Sequence, residues 1–475
     1  MTPRRYVAIL VLAGLVIYLP FLGNKFVWDD EQFIVKNVYL TSWGFLPQIF
    51  TRNTIAGAGQ ASNYYRPLTT LSFRLDYWLW GLNPVGYHLT NAGLHVMAGI
   101  VLWLLLRRLG LVEKLAFWVS LLFVVHPVQT EAVVYANSRG DSLYALLLFS
   151  SLYWFTFPKP RRQVMAAAGW GLSILAKEIA VGGWGLFMLV WGLILGRKRE
   201  QGWTLVMMGV VVLVYAGLRL TWLDFGSPVN PYGPLPVRLL TFSRVMVEYG
   251  RLLLWPDPLH MERQVPLIET LASPYPWLVG LVVLGMGVSR SKWRKFGLGW
   301  FLIMLLPVSG VVPINALIYE HWLYVPMVGF LVVGLTSLPA LPPNWVMAGV
   351  AVVLAVLSWR QNYIWGEPIR FYEYTLKYGQ SARLHNNLAM AYAEAGRLTE
   401  AVGQYRQAIQ LTDVYAQTHY NLANAYVALG ENQLAEQEYL AALKLDSGFK
   451  FAYINLMVLY RRTGQAEKAD ALIKR

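Results

Sequence analysis

Cysteine is absent from this 475-residue chain, which removes disulfide frameworks, zinc-thiolate sites and cysteine nucleophiles at once. Charge is scarce as well. Asp, Glu, Lys and Arg make up 14% of the residues and hydrophobic side chains 56%, whereas soluble domains carry roughly 25% charge. An ordinary cytosolic enzyme is not built from that mixture. Three signatures are also missing: a Walker loop, a Gly-x-Gly-x-x-Gly turn after a strand, and His-Glu-x-x-His. Nucleotide hydrolysis, dinucleotide redox chemistry and zincin chemistry therefore lack support. No soluble stretch interleaves basic and aromatic residues, so nucleic acid is not an expected partner.

What charge there is has a strong bias, with 40 Lys and Arg against 26 Asp and Glu and a net charge of +14. Residues 1–380 hold 30 basic and 17 acidic side chains, and residues 381–475 hold ten and nine. The first part contains eleven apolar stretches, near 6–22, 88–106, 111–125, 141–157, 163–177, 180–195, 203–220, 275–289, 297–313, 322–340 and 345–359. The expected fold class is all-α: a polytopic membrane bundle of about eleven spans, residues 1–360, then a linker over 361–380 and a repeat domain over 381–475.

The excess positive charge falls into five clusters, Arg4/Arg5, Arg107/Arg108/Lys114, Lys159/Arg161/Arg162, Arg197/Lys198/Arg199 and Arg290/Lys292/Arg294/Lys295. By the positive-inside rule these belong to the cytoplasm, which places the amino terminus there and, with eleven spans, the tail outside. The first stretch ends in Tyr18-Leu19-Pro20-Phe21-Leu22 without a small-residue cleavage site and reads as a retained span. Residues 239–255 carry Arg244, Glu248 and Arg251 at i, i+4, i+7, the pattern of an amphipathic helix at the outer surface.

The tail repeats itself every 34 residues: Asn387, Asn421 and Asn455; Tyr392, Tyr426 and Tyr460; Gly396, Gly430 and Gly464; Ala401, Ala435 and Ala469. That period and pattern are those of the tetratricopeptide repeat, with units at 381–414, 415–448 and 449–475, the last lacking its end. A groove for a protein partner or a structural spacer are both open to such a stack.

Ionisable groups at the mouth of a membrane bundle are costly to desolvate and so point to function. Asp29-Asp30-Glu31 follows the first span between Trp28 and Phe33. It can be a solubilising stop, a general base or a cation site. His126, Glu131, Arg139 and Asp141 fall in one short connection, where capping and ion pairing compete with substrate contact. His88, Asn91 and His95 share one helical face and suit interhelical hydrogen bonds.

Several of these motifs together resemble a known family. The acidic pair resembles that in the first outer loop of C-type membrane glycosyltransferases. Tyr64-Tyr65-Arg66-Pro67-Leu68, Gly86-Tyr87-His88-Leu89-Thr90-Asn91, His126-Pro127-Val128-Gln129-Thr130-Glu131, Ala176-Lys177-Glu178 and Glu320-His321-Trp322-Leu323-Tyr324 resemble the transmembrane and tetratricopeptide-repeat O-mannosyltransferases and their prokaryotic relatives. Two positions depart from the family pattern: His321 stands where Arg is common, and Gln129 where a second His is frequent.

The resemblance implies an inverting transfer of a sugar, with mannose the first candidate, from a polyprenyl-phosphate-linked donor to a hydroxyl of an extracytoplasmic protein. Asp29 would be the base and Asp30 would orient the acceptor or a cation. Arg66, His126, Glu131, Arg139, Lys177, Glu178, Glu320 and His321 would contact donor phosphate or substrate. A divalent cation is an open cofactor, and the metal ligands are unknown. The short tail points to a prokaryotic cell membrane. A non-catalytic scaffold recruiting envelope proteins through its repeats is the alternative, and a transporter is disfavoured because most charges lie near span ends.

Overall fold

The computed structural model describes residues 2–223, 225, 232–314 and 316–473. Those residues form helices and connecting turns, with no strand among them. They divide into a first unit ending at Gly366 and a second beginning at Glu367.

The first unit begins with α1 (Pro3–Tyr18), followed by a long connection holding only the short α2 (Leu46–Thr51) and single helical turns. Then come α3 (Pro67–Trp80), α4 (Pro84–Arg108), α5 (Glu113–Val125), α6 (Thr130–Val134), α7 (Arg139–Phe155) and α8 (Pro160–Ala176). After these follow α9 (Gly183–Leu193), α10 (Arg199–Leu220), α11 (Leu235–Leu254), α12 (Pro274–Gly287), α13 (Lys292–Leu305), α14 (Pro326–Ser337) and α15 (Asn344–Trp365). Proline sits in the first turn of α1, α3, α4, α8, α11, α12 and α14, where its missing N–H costs nothing and its fixed φ suits the helix.

All eleven apolar stretches fold as helices, in keeping with the expected all-α class, although only some reach the length of a full span. By length and composition three helices of the described residues can cross a membrane, Pro3–Phe21, Pro84–Arg108 and Arg199–Leu220, with a fourth if Glu113–Val125 and Pro127–Val134, bent by 52°, act as one. At ~1.5 Å per residue, the 14 residues of α12 are shorter than a hydrocarbon core ~30 Å thick, so this helix crosses with the help of flanking residues or in thinned membrane. The shorter apolar helices are Glu178–Leu193, Pro274–Gly287 and Pro326–Ser337.

Small residues bring some of these helices close. A Cβ on Gly297 of α13 would stand 2.6 Å from the carbonyl oxygen of Gly329 on α14, so only glycine permits this backbone contact. Helix α11 buries Val245, Tyr249, Leu252 and Leu253 and leaves Leu254 exposed. It is therefore the amphipathic element that its charge spacing predicts, and it is not among the span candidates.

In the second unit, α17 (Ala382–Glu394) pairs with α18 (Leu398–Leu411), α19 (Ala416–Leu429) with α20 (Asn432–Leu445), and α21 (Lys450–Arg462) with the shorter α22 (Ala466–Ile473). The turn after the first helix of each pair holds a left-handed residue, Gly396 at φ 75°, Gly430 at 81° and Gly464 at 76°, where a side chain would be strained. Residues 361–380, expected as a linker, carry the end of α15 and all of α16 (Pro368–Thr375), which packs on α17. The packed face of α16, with Phe371, Tyr372 and Thr375 buried, is what gives this segment its structure.

Candidate active site

The acidic pair stands on a loop held by its own backbone. Trp28, buried and at φ 57°, is in the left-handed region that non-glycine residues seldom adopt, and such outliers concentrate where surrounding contacts dictate the conformation. Asp30 is wholly buried. One of its oxygens accepts the N–H of Val27 at 3.0 Å and the other the N–H of Asn137 at 2.7 Å. The N–H of Asp29 donates to the Tyr135 hydroxyl at 3.1 Å, and the Asn137 side chain donates to that same hydroxyl at 3.4 Å. Asp29 itself is half-buried. Burial pushes the Asp30 carboxyl up to about 8, opposed by the backbone N–H groups and reinforced by Asp29.

Beneath this loop lies an apolar cluster of Phe33, Ile34, Leu40, Ile55, Phe73, Tyr87 and Ala136, with Tyr64 packed against it. Phe33 follows Asp29 by one helical turn, its N–H donating to the Asp29 carbonyl at 3.0 Å. The Phe33 ring lies 6.4 Å from that of Tyr64, and the Arg66 guanidinium lies 4.5 Å over the Tyr64 ring. The aromatic pair thus joins the acidic loop to the first basic candidate.

Arg66 is bound at two points by Glu178, Nε to Oε2 at 2.9 Å and Nη2 to Oε1 at 2.5 Å. Its side chain is 13% exposed and that of Glu178 37%. The neighbouring Lys177 donates to both oxygens of Asp141 at 2.7 Å, and this pair is buried. Glu131 takes the N–H of His321 at 3.0 Å and faces its Nδ1 at 2.7 Å. Tyr319 stacks on the His321 ring with centroids 5.1 Å apart. Glu320 accepts from the His260 N–H at 2.8 Å and from Arg263 at 2.9 Å, and Arg263 reaches Glu248 at 3.1 Å. Burial, followed by the charges of Lys177 and Arg66, pushes the His321 imidazole well below its ordinary range, while Asp141 and Glu178 act the other way. Lys177 and Arg263 both lie within electrostatic reach of Glu131, so these pairs form one continuous ionic cluster.

Two expected site residues lie elsewhere. Arg139 is wholly buried below the acidic loop. It donates to Asn91 at 2.7 Å and to the Tyr87 carbonyl at 3.0 Å, pairs with Asp76, and stacks over Phe73. His126 is buried with both ring nitrogens engaged by backbone: Nδ1 accepts from Val128 at 3.2 Å, so Nε2 carries the proton that meets the Leu253 carbonyl at 3.2 Å. On the α4 face, His88 reaches the Asn24 carbonyl at 2.9 Å, Asn91 donates to the Val133 carbonyl at 3.2 Å, and His95 meets Tyr324 at 2.6 Å. Of these, the Asn91 bond joins α4 to α6, while those of His88 and His95 reach Asn24 and Tyr324 in connecting segments. Among the described residues no group of three or more His, Asp or Glu is placed to hold a metal ion.

Sequence reasoning missed Tyr135, Asn137, His260 and Arg263. The first two carry no charge, Tyr135 just before and Asn137 within an ordinary Ala-Asn-Ser turn. Arg263 had a usable signal, since it is a basic residue in an otherwise outer loop, outside all five cytoplasmic clusters.

Residues 389–430 match the TPR repeat family and residues 416–449 the Tetratricopeptide repeat family. Over most of its length the chain is similar to protein O-mannosyl-transferases. One from Caenorhabditis elegans is 27% identical over 87% of this chain and 64% of its own length. Protein O-mannosyl-transferase TMTC3 of Homo sapiens is 25% identical over 82% of this chain and 50% of its own. TMTC4 of Homo sapiens is 25% identical over 82% and 64%. The chain thus spans between half and two thirds of the length of these relatives. The resemblance implied by the motifs extends through both the helical bundle and the repeats.

Proposed function

We propose that the chain is a membrane glycosyltransferase that moves a sugar, mannose first among the candidates, from a polyprenyl-phosphate donor to a hydroxyl of a protein. The observation that carries this reading is the joining of half-buried Asp29 to Arg66 through the Phe33 and Tyr64 rings, in a chain similar to protein O-mannosyl-transferases over most of its length. A base and a phosphate-binding cation on either side of an aromatic platform are what glycosyl transfer from a phosphate requires.

In this reaction the acceptor oxygen attacks the anomeric carbon and its proton passes to Asp29. A new carbon–oxygen bond forms as the bond from that carbon to the phosphate oxygen breaks, and the electron pair leaves with the phosphate. Attack from the face opposite the leaving group inverts the anomeric configuration. Arg66 meets the growing negative charge, because a guanidinium fork matches two phosphate oxygens. Lys177 lies in the same ionic cluster and adds to its field, while His321, held neutral by burial and by those cations, serves as an uncharged hydrogen-bonding partner of Glu131. Arg139 and His126 are not given phosphate roles, since their donors are spent inside the bundle.

The five basic clusters support a cytoplasmic amino terminus, with the acidic loop and the repeats on the outer side. The repeats would hold the protein acceptor. A groove of about 250 Å³ there, lined by Met390, Glu394, Tyr405, Asn421 and Asn424 among others, offers both apolar and amide contacts. The test is transfer from mannosyl polyprenyl phosphate to peptide by the full chain in proteoliposomes. Product with the wild type and none with Asp29→Asn supports the reading. Unchanged transfer by Asp29→Asn removes Asp29 as base, and transfer by neither removes this donor.

A further inference from the structure

We infer that the two acids of the loop have separate tasks: Asp29 faces the reaction, while Asp30 is a positioning residue that ties the acidic loop to the turn at Tyr135–Asn137. This inference rests on the glycosyltransferase reading for its kinetic arm only.

The two carboxyls differ in what they can touch. Asp30 has no exposed surface, and its two oxygens are each taken by a backbone N–H, one from its own loop at Val27 and one from Asn137 in the turn between α6 and α7. A third bond crosses the same gap, from the N–H of Asp29 to the Tyr135 hydroxyl. The hydroxyl is fixed in turn, since the Asn137 side chain donates to it and the Tyr135 ring lies against Trp365 at 5.5 Å. Two successive residues are therefore bolted to one turn, Asp30 by its side chain and Asp29 by its backbone. Asp29 is half-buried where Asp30 is wholly buried.

The strained Trp28 explains why such a clamp is needed. A tryptophan at φ 57° lies in a sparsely populated region that persists only where neighbouring contacts overdetermine it. The left-handed turn directly precedes the pair, and the pair is then fixed by the bonds to Val27, Tyr135 and Asn137. Without the clamp the loop relaxes and the Asp29 carboxylate moves. A displacement near 1 Å at a reacting group costs about 10²-fold in rate.

The experiment compares the full-length wild type with Asp29→Asn, Asp30→Asn and Tyr135→Phe by two readouts. In the transfer assay, Asp29→Asn loses about 10²–10⁴-fold in kcat and its rate no longer falls on the acid side. Asp30→Asn and Tyr135→Phe lose about 10–100-fold in kcat, keep KM for both substrates within about twofold, and retain the acid limb. Joining the last two changes adds little to the worse one, because both release the same loop. Asp30→Asn losing the acid limb while Asp29→Asn keeps it overturns the assignment.

Amide hydrogen exchange provides the readout that needs no activity. Asp30→Asn should speed exchange at both Val27 and Asn137, in peptides more than 100 residues apart in sequence, and Tyr135→Phe should speed it at Asp29. If the wild type transfers no sugar, the glycosyltransferase reading fails and exchange still decides the clamp. Unchanged exchange in both variants overturns it. Should Asp30→Asn fail to fold, Tyr135→Phe, which removes a single hydroxyl, decides the matter by both readouts.

Discussion

Arg66 and Glu178 meet at two points across 112 residues of sequence, with both guanidinium contacts at 2.9 Å or less. The carboxylate occupies the fork that a phosphate of the donor would need. Glu178 is the more exposed partner, so exchange requires the carboxylate to swing outward while Arg66 stays on the Tyr64 ring.

Glu178→Gln should therefore bind polyprenyl phosphate more tightly than the wild type, by several-fold, because the competing charge is gone. Arg66→Lys should bind it about tenfold or more weakly, since a charged hydrogen-bonding fork is worth about 1.5–3 kcal/mol and lysine cannot make it. Titration of the detergent-solubilised chain by its tryptophan fluorescence measures both. Equal affinity in all three proteins would remove Arg66 from the donor site.

The buried pair of Lys177 and Asp141 gives a stability prediction. Lys177→Met strands Asp141 among buried neighbours and should cost about 3–5 kcal/mol. Lys177→Met combined with Asp141→Leu should recover most of it, as apolar replacement of both charges removes the desolvation penalty. Thermal unfolding in detergent reports the difference, and a double variant no better than the single one contradicts this account.

His419 makes the repeats sensitive to pH. Its Nδ1 meets Glu438 at 2.6 Å and its Nε2 meets Asp413 at 2.7 Å. The bond to Glu438, followed by that to Asp413, raises its pKa against the opposing effect of burial. The folded form therefore holds its proton more tightly than the unfolded form. Its stabilisation is complete below the unfolded value of ~6.5 and is lost as pH rises through the higher folded value. At the equivalent position 34 residues earlier, His385 lies between the amides Gln404 and Gln380. Amide exchange over α19 and α20 should quicken between mildly acidic and alkaline pH, beyond the intrinsic base dependence, and His419→Gln should remove that excess. The same excess in the variant would refute the assignment.

The lack of native cysteine makes topology simple to probe. If α11 lies along the outer surface, Pro234→Cys and Asp257→Cys at its two ends react with an impermeant maleimide added outside intact cells, while Lys292→Cys, beyond α12, does not. Labelling of only one of the first two would make α11 a span and reverse the orientation of everything after it.

The repeats were legible in the sequence because their determinants are local. Each glycine at 396, 430 and 464 sits at its own helix end, and each period of 34 buries the same small and aromatic positions. The positions of the membrane-unit helices were legible for the same reason. Where those helices bend was not, because a hydropathy run does not show it, as at His126-Pro127 between α5 and α6.

For the candidate site, the sequence by itself determined which groups were available: an acidic pair, a scatter of basic residues and their nearness to helix ends. Only the tertiary structure decided how they pair. Arg66 with Glu178, Glu131 with His321 and Asp30 with Asn137 lie 107 to 190 residues apart, and no spacing rule reaches that far. It also separated like residues, sinking Arg139 and Asp30 while leaving Asp29 half-exposed. The physical reason is desolvation. A charge can be buried only where partners from distant segments satisfy it, and those partners come together only when the whole bundle has formed.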